Sequence, residues 1–93
     1  MKVNVQIAGL ATLYETLRRS KKVEVEFPGR TLGELIDAMV RKFGLNVKKA
    51  LLDKNGDIDM EIRVLLNGAT YITENRMQVS LNDGDTVIFQ APS

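Results

Sequence analysis

The element around which the rest of the chain is organised is encoded by residues 31–44, which read TLGELIDAMVRKFG. Apolar residues recur in this stretch at the spacing of a helix with one buried face: Leu32, Leu35, Ile36, Met39, Val40 and Phe43. Thr31 and Glu34 fit a capping box, and Gly44 stands where a left-handed residue often ends a helix. The stretch therefore predicts one amphipathic helix that lies on a sheet, and Gly33 in its first turn predicts close packing on that sheet.

Upstream of this helix, two stretches alternate apolar and polar residues with the period of half-buried strands, at residues 2–7 and 22–27. Between them, Leu10, Leu13, Tyr14 and Leu17 recur at helical spacing. Because that stretch is short and follows Gly9, we interpret it as a packed loop with one helical turn.

Downstream of the helix, residues 47–52 indicate a short helical turn, and three further strands alternate with turns. The predicted strands are residues 62–66, 71–72 and 86–90, and the turns are Asn55-Gly56, Asn67-Gly68 and residues 82–85. Asn-Gly pairs suit the positive φ angles of two-residue loops. The pattern predicts an α+β fold, a mixed four- to five-stranded sheet packed against one main helix, and it leaves the strand order open.

The composition describes one compact domain over residues 1–93, with 44% hydrophobic and 27% charged residues. Cysteine and histidine are absent, which removes disulfides, thiolate nucleophiles, imidazole bases and nearly every structural zinc site. The apolar runs are far shorter than a membrane span, and the N-terminal residues do not form a signal peptide. We therefore expect a cytoplasmic protein with no membrane partner, no cofactor, no metal and no enzymatic activity of its own.

The net charge of +1 is too balanced for a dedicated polyanion binder, but the charge is unevenly distributed. Residues 1–50 carry ten basic and five acidic side chains, whereas residues 51–93 carry three and seven. The basic excess includes residues 18–22, which read RRSKK. We interpret these runs as solvated faces; the alternative is a bipolar surface that orients a charged partner.

Acidic residues occur in two patterns that resemble functional sites, one for calcium binding and one for hydrolysis. The first resembles the ligands of a calcium loop: Asp53, Asn55, Asp57, Asp59 and Glu61. An EF-hand counted from Asp53 would need glycine and glutamate where this chain has Ile58 and Val64, so a tight turn is favoured. In the second, Asp83 and Asp85 flank a turn glycine, where carboxylates are solvated rather than tuned for hydrolysis. No catalytic residue is therefore predicted.

Two segments near the end of the chain resemble a known family. Residues 64–68, VLLNG, and residues 81–89, LNDGDTVIF, resemble the C-terminal half of the MoaD/ThiS family of small ubiquitin-like β-grasp proteins. The rest of the chain matches the family in the order of its features. These are the opening strand, the Pro28-Gly29 turn, the helix start at Thr31 and the acidic turn at residues 53–56. The resemblance covers essentially the whole chain, and it implies that the first and last strands lie side by side with the helix across one face.

The resemblance also implies an activity. Members of the family are sulfur carriers: an E1-like adenylyltransferase activates their C-terminal glycine, which then becomes a thiocarboxylate and donates its sulfur in molybdopterin or thiamin thiazole synthesis. In the molybdopterin case the carrier is the small subunit of a synthase and inserts its tail into the large subunit. The implied partner is therefore a protein, either an E1-like adenylyltransferase or a synthase large subunit.

This sequence departs from the family after Phe89, where it reads Gln90-Ala91-Pro92-Ser93 instead of continuing to Gly-Gly. We expect the docking segment to comprise Phe89, Gln90, Ala91, Pro92 and Ser93, with a polar Gln90 where a hydrophobic contact is usual. Either the tail has been removed from this sequence, or the protein does not have one. The second explanation predicts a ubiquitin-like interaction module without carrier activity. A TGS-like module that contacts RNA or a nucleotide through residues 18–22 is less favoured, because no aromatic residue is interleaved for base stacking.

Overall fold

The structure is a computed structural model that describes residues 1–91, in which the chain forms five strands, three helices and one 3₁₀ turn. The strands are β1 (Lys2–Ala8), β2 (Lys22–Glu26), β3 (Arg63–Leu66), β4 (Thr70–Ile72) and β5 (Thr86–Gln90). The helices are α1 (Ala11–Thr16), α2 (Leu32–Phe43) and α3 (Asn46–Leu51), and the 3₁₀ turn is Arg76–Gln78. Within residues 1–91, none of the helices has the length and apolar character needed to cross a membrane.

The five strands form one mixed sheet in the order β2-β1-β5-β3-β4. The first and last strands, β1 and β5, are parallel neighbours, and the other neighbouring pairs are antiparallel. The predicted α+β architecture and the predicted adjacency of the first and last strands are thus confirmed. This order places β5 in the middle of the sheet, with β1 on one side and β3 on the other.

The core lies between one face of the sheet and the helices. The inward-facing strand residues include Val3, Val5, Val25, Val64, Val87 and Phe89, and the buried residues of α2 include Leu32, Leu35, Ile36 and Met39. All of them belong to one continuous apolar cluster. Among the residues that the structure describes, no polar or charged residue is buried in this cluster. The predicted buried face of the main helix is therefore confirmed, with Val40 and Phe43 half-buried at its margin.

The N-terminal end of α2 is capped as the sequence predicts, whereas Gly44 ends the helix with φ +101 and ψ 176 instead of the left-handed helical conformation that was expected. The Glu34 amide donates to the Thr31 hydroxyl oxygen at 3.2 Å, and the Glu34 carboxylate accepts from the Thr31 amide at 3.2 Å. The hydrogen bonds from the Arg30 amide, the Thr31 hydroxyl and the Thr31 amide hold the pKa of the Glu34 carboxyl below its ordinary value of 4.5. At the other end Gly44 has φ +101 and donates its amide to the Val40 carbonyl oxygen at 2.8 Å.

The segment after β1 is more helical than predicted. Residues 11–16 form a six-residue helix, α1, rather than a loop with a single turn. The Tyr14 amide donates to the Leu10 carbonyl and the Leu17 amide to the Leu13 carbonyl, each at 2.8 Å. Leu13 and Leu17 are buried in the core, and α1 packs against α3. Tertiary burial thus stabilises a helix that is too short to be stable alone.

Gly33 packs closely, but against a different element from the one predicted. A Cβ atom at Gly33 would lie 2.9 Å from the carbonyl oxygen of Met77, in the 3₁₀ turn, so the close approach is to this turn and not to the sheet. The turn is held in place by Arg76, whose guanidinium donates to the carbonyl oxygens of Ile58 (2.8 Å) and Ile62 (2.5 Å). These are long-range contacts, which periodicity in the sequence cannot indicate.

Candidate functional site at the C-terminal end of the central strand

The C-terminal end of β5 is supported on both sides. Gln90, its last residue, is paired with Ala8 of the parallel strand β1 and with Arg63, the first residue of β3. The amide of Ala91 then donates to the carbonyl oxygen of Ala8 at 2.9 Å. The chain is therefore still hydrogen-bonded to β1 at the point where it leaves the sheet.

The predicted docking residues do not all face solvent. The Phe89 side chain is completely buried, and its strand partners Ile7 and Val64 also belong to the core cluster. Phe89 therefore anchors β5 in the core, and its side chain is not exposed at the surface of the unbound protein. Pro92 and Ser93 lie outside the residues that the structure describes. The docking role of residues 89–93 stays a prediction.

The two intermediate residues of the segment lie at the surface. Gln90 is half-buried and points to the face of the sheet opposite the core, where its Oε1 accepts a long hydrogen bond from the Tyr71 hydroxyl at 3.4 Å. Ala91 is also half-buried, and its Cβ would lie 3.1 Å from a Cβ at Gly9. Gly9 has φ +72, so the turn after β1 approaches Ala91 with a backbone conformation that favours glycine.

Beside Gln90, an apolar strip crosses the face of the sheet that α2 does not cover. Cross-strand pairing aligns Ile88 of β5 with Leu65 of β3, and Leu65 with Tyr71 of the edge strand β4. Ile88 and Leu65 are half-buried, whereas Tyr71 is 51% exposed. The sequence contained a signal for this strip, since Leu65 is apolar at an outward-facing position between the buried Val64 and the core-facing Leu66.

Two open grooves flank the end of β5. The groove beside β1, with a volume of about 550 Å³, is lined mainly by Leu10, Ala11 and Tyr14, with Lys21 among its lining residues. The groove beside the edge strand β4 has a volume of about 510 Å³, and Met60 in its lining is 91% exposed. Both surfaces are apolar and lie near the predicted docking segment. One is formed within residues 7–21 and the other within residues 60–76, and neither was predicted, because hydrophobic periodicity does not indicate where neighbouring elements leave a groove between them.

The two turns that carry the family resemblance meet at the opposite end of β5. Asn67 and Gly68 both have positive φ, +54 and +69, as the sequence predicts for an Asn-Gly turn. The Asn67 side chain donates to the Asp85 carboxylate at 3.0 Å and accepts from the Thr86 amide at 2.8 Å. The motif thus fixes the beginning of β5 relative to the β3–β4 hairpin.

The acidic side chains of the turns are engaged by backbone amides. The Asp83 carboxylate accepts from the Lys2 amide at 2.6 Å, and the Asp85 carboxylate accepts from the Asn82 amide at 2.8 Å. These contacts give both residues a structural role at the start of β5.

The third acidic turn differs in detail from the prediction. Only Gly56 of the Asn55-Gly56 pair has positive φ, at +84, and the loop closes through a bond from the Asp53 amide to the Asp57 carbonyl at 2.7 Å. The expected two-residue loop is therefore wrong. The Asp53 carboxylate accepts from the amides of Asn55 (2.8 Å) and Asp57 (3.1 Å), which fits a turn rather than a calcium loop.

No protein-family model and no curated protein sequence matches the chain, whereas solved structures do. A chain of the Amycolatopsis orientalis BexX/CysO complex is 23% identical with a TM-score of 0.80, over 98% of this chain and 96% of that one. Small archaeal modifier protein 1 from Haloferax volcanii is 21% identical with a TM-score of 0.77, over 100% and 97%. A Pyrococcus furiosus protein described as subunit 1 of a molybdopterin converting factor is 21% identical with a TM-score of 0.67, over 100% and 99%.

These likenesses extend over nearly the whole length of each chain, and at these identities they concern the fold. They agree with the strand order, in which β5 lies between β1 and β3, and with the single long helix α2 across one face. The expectation drawn from the MoaD/ThiS resemblance is thereby confirmed at the level of architecture: the chain has the ubiquitin-like β-grasp fold of these structures.

Proposed function

We propose that this protein is a carrier or modifier of the β-grasp type, whose folded body binds a protein partner and presents the end of β5 to the partner's active site. The observation that carries the proposal is the position of β5, which is central in the sheet and still bonded to Ala8 through Ala91. A partner that grips the body of the protein therefore receives the strand end at a fixed position. Holding a reacting group in this way lowers the entropic part of a reaction barrier.

In this proposal the protein supplies binding and positioning, and the partner supplies catalysis. The acidic turns agree with this division of labour, because Asp83 and Asp85 are engaged with backbone amides and with Asn67. The reacting group of a carrier is borne by its chain end, which requires no cysteine or histidine in the body. The protein is accordingly proposed to act as a substrate or subunit of an enzyme in the cytoplasm.

Within this class we propose sulfur transfer for the molybdenum cofactor or for thiamin, as the MoaD/ThiS resemblance implies. The partners would be an E1-like adenylyltransferase, which activates the chain end, and in the molybdopterin case a synthase large subunit. The likeness to a protein described as a molybdopterin converting factor subunit supports the first of the two pathways. Residues 1–93 contain no glycine after Gly84, so they lack the C-terminal glycine that is activated in the family. The test therefore compares the chain ending at Ser93 with a form extended by Gly-Gly.

Mass spectrometry tests the carrier proposal. The chain ending at Ser93 and a form extended by Gly-Gly are each incubated with an E1-like adenylyltransferase of the same organism, ATP and a sulfur source. We expect the extended form to gain the mass of a thiocarboxylate and the chain ending at Ser93 to remain unchanged, with an Ala-Ala extension as the matched control. If neither the Ser93 form nor the Gly-Gly form is modified, the carrier proposal fails.

A second candidate function is a ubiquitin-like interaction module without carrier activity, and the exposed apolar strip of Ile88, Leu65 and Tyr71 favours it. A partner that covers this strip would contact it without needing a reactive chain end. Calorimetry with the E1-like enzyme or the synthase large subunit should show binding of the unextended chain that Tyr71→Ser weakens about tenfold, since an aromatic anchor contributes strongly to an interface. Asp37→Ser, on the exposed side of α2, is the matched control, and equal affinities for both variants would contradict the module.

A further inference from the structure

Basic side chains from two distant segments lie together at the end of the sheet where β5 finishes. We define the basic end as Arg18, Lys21 and Lys42. Lys22 begins β2 and pairs with Gln6 near the end of β1, so the linker before β2 lies at this end of the sheet. The chain leaves β2 at the other end, where Glu26 pairs with Lys2, and α2 returns toward the basic end.

Phe43, the last residue of α2, brings the two segments into contact. The Arg18 guanidinium carbon lies 5.8 Å from the centre of the Phe43 ring, and the Lys42 ammonium nitrogen lies 5.4 Å from the same centre. Both cations are within the range of a cation–π interaction. Residues separated by more than twenty positions in the sequence therefore present their charges to one region of the surface.

The backbone that carries Arg18 is held in an unusual conformation. Arg18 and Arg19 have φ +60 and +61, two consecutive left-handed residues that are not glycine. Their amides donate to the carbonyl oxygens of Glu15 (3.1 Å) and Tyr14 (2.8 Å), so the turn is fastened to α1. The backbone at Arg18 is therefore fixed relative to α1.

Within residues 1–91, no carboxylate forms an ion pair with a side chain of the basic end. In residues 1–91 the ion pairs are Lys2 with Glu24 and Arg19 with Glu15, and no member of the basic end belongs to either of them. Lys42 directs its ammonium group to the Glu24 carbonyl oxygen at 3.4 Å instead of to a carboxylate. Like charges held close together repel one another, and an acidic partner would remove this repulsion.

Apolar surface adjoins these charges and indicates the kind of partner. Lys21 lines the groove that contains Leu10, Ala11 and Tyr14, and Leu45, two residues after Phe43, is 67% exposed. The Phe43 ring is half-buried and already in contact with two cations, which leaves it poorly placed to stack on a nucleic-acid base. Mixed basic and apolar surface is complementary to a protein surface with carboxylates and apolar side chains.

We propose that the basic end is the docking site for an acidic, partly apolar surface of the protein that receives the end of β5. The identity of that partner rests on the proposed function, whereas the charge complementarity does not. Ala8 connects the two features, since it accepts the hydrogen bond from Ala91 and also lines the groove that Lys21 shares. Docking at the basic end therefore places the partner beside the chain end.

An NMR titration tests the basic end directly. A synthetic peptide of alternating glutamate and leucine is added to the full chain, and the amide chemical shifts are followed. We expect shifts confined to residues 10–14, 18–22 and 42–45, with an affinity that falls as salt is added. The pair Arg18→Glu and Lys42→Glu should weaken binding at least tenfold. The pair Lys48→Glu and Lys54→Glu changes the net charge equally and should retain most of the affinity.

Milder variants and three contradicting outcomes complete the peptide titration. If charge reversal unfolds the protein, Arg18→Gln with Lys42→Gln replaces it, and a loss of affinity is still expected. Equal losses in both charge-reversed pairs, shifts elsewhere on the surface, or tighter binding of a polyuridine oligonucleotide of the same length would each overturn the proposal. The last outcome would identify a nucleic acid as the partner class.

A second readout separates this proposal from the proposed function. The Gly-Gly-extended chain is modified by the E1-like enzyme at a series of chain concentrations, and we expect Arg18→Glu with Lys42→Glu to raise the apparent KM at least tenfold while the control pair does not. If modification proceeds with an unchanged KM, docking at the basic end is refuted and the carrier function stands. If no modification occurs at all, the carrier function is refuted, and the peptide titration alone decides the docking site.

Discussion

Gly33 makes the tightest backbone approach between α2 and the 3₁₀ turn, and this gives a prediction at the scale of one residue. In Gly33→Ala the new Cβ would lie 2.9 Å from the Met77 carbonyl oxygen, which is backbone and cannot rotate away. Overpacking of this kind costs about 1–3 kcal/mol, and the better helix propensity of alanine offsets about 1 kcal/mol. We expect urea denaturation to show a net loss of about 1 kcal/mol. Asp37→Ala, on the exposed face of α2, should change stability by under about 0.5 kcal/mol, and a stabilised Gly33→Ala would refute the close packing.

The stability that the capping box gives to α2 depends on the ionisation of Glu34 and therefore on pH. Because its pKa is lowered in the folded state by the Arg30 amide first and then by the Thr31 hydroxyl and amide, its contribution to stability is complete above the ordinary pKa of 4.5 and is lost as the pH falls through the lowered value. We therefore expect Glu34→Gln to lower the melting temperature at pH 7 and to converge with the unmodified protein in acid. Thermal denaturation at a series of pH values measures this, and a difference that does not shrink in acid would contradict it.

At the scale of an element, the buried face of α2 determines how much stability the helix contributes. Leu35 and Ile36 are completely buried in the core cluster. Replacing either residue with alanine removes buried methyl groups and leaves a cavity, which should cost about 2–5 kcal/mol. Chemical denaturation should show this loss, whereas a change below about 0.5 kcal/mol would mean that the assigned face is wrong.

Asn67 connects two elements, the β3–β4 hairpin and β5, and its replacement tests that connection. Asn67→Ala loses the bonds to Asp85 and Thr86 and places alanine at φ +54. Each hydrogen bond contributes about 1 kcal/mol, so we expect a loss of about 2 kcal/mol and faster hydrogen exchange at the Thr86 amide. Asn67→Gly removes the same bonds without the strain and should be less destabilised; if it is equally destabilised, the conformational part of the argument is refuted.

The elements show which features the sequence could predict. The capping box at Thr31, the alternation of Val3, Val5 and Ile7, and the Asn67-Gly68 turn depend on residues close together in the chain, and all three are observed. The helical length of α1 was underestimated because burial of Leu13 in the core and packing of α1 on α3, not local propensity, stabilise it. Local patterns cannot convey packing of that kind.

The same distinction applies to the candidate site. The sequence predicts a docking segment at residues 89–93, which stays a prediction. It does not indicate that the register of β5 turns the Phe89 side chain into the core. The apolar strip was not predicted as a surface, because it is assembled across strands that are distant in sequence. The basic run at residues 18–22 was recognised from the sequence, but its approach to Lys42 at the Phe43 ring was not, because that contact joins distant segments. The local signals for the strip were Leu65 and Ile88, which are apolar at outward-facing positions.

At the scale of the whole molecule, the central position of β5 predicts that residues 1–93 unfold as one unit. Val87 and Phe89 of β5 share one apolar cluster with β1, β3 and α2, so no part of the sheet can separate without exposing that cluster. We expect Phe89→Ala to cost about 3–5 kcal/mol, whereas Ile72→Ala on the half-buried edge strand β4 should cost about 1 kcal/mol. Near-UV absorbance of Tyr14 and Tyr71 and far-UV circular dichroism should report the same transition. Separate transitions, or equal losses in the two variants, would show that the chain is not a single cooperative domain organised around β5.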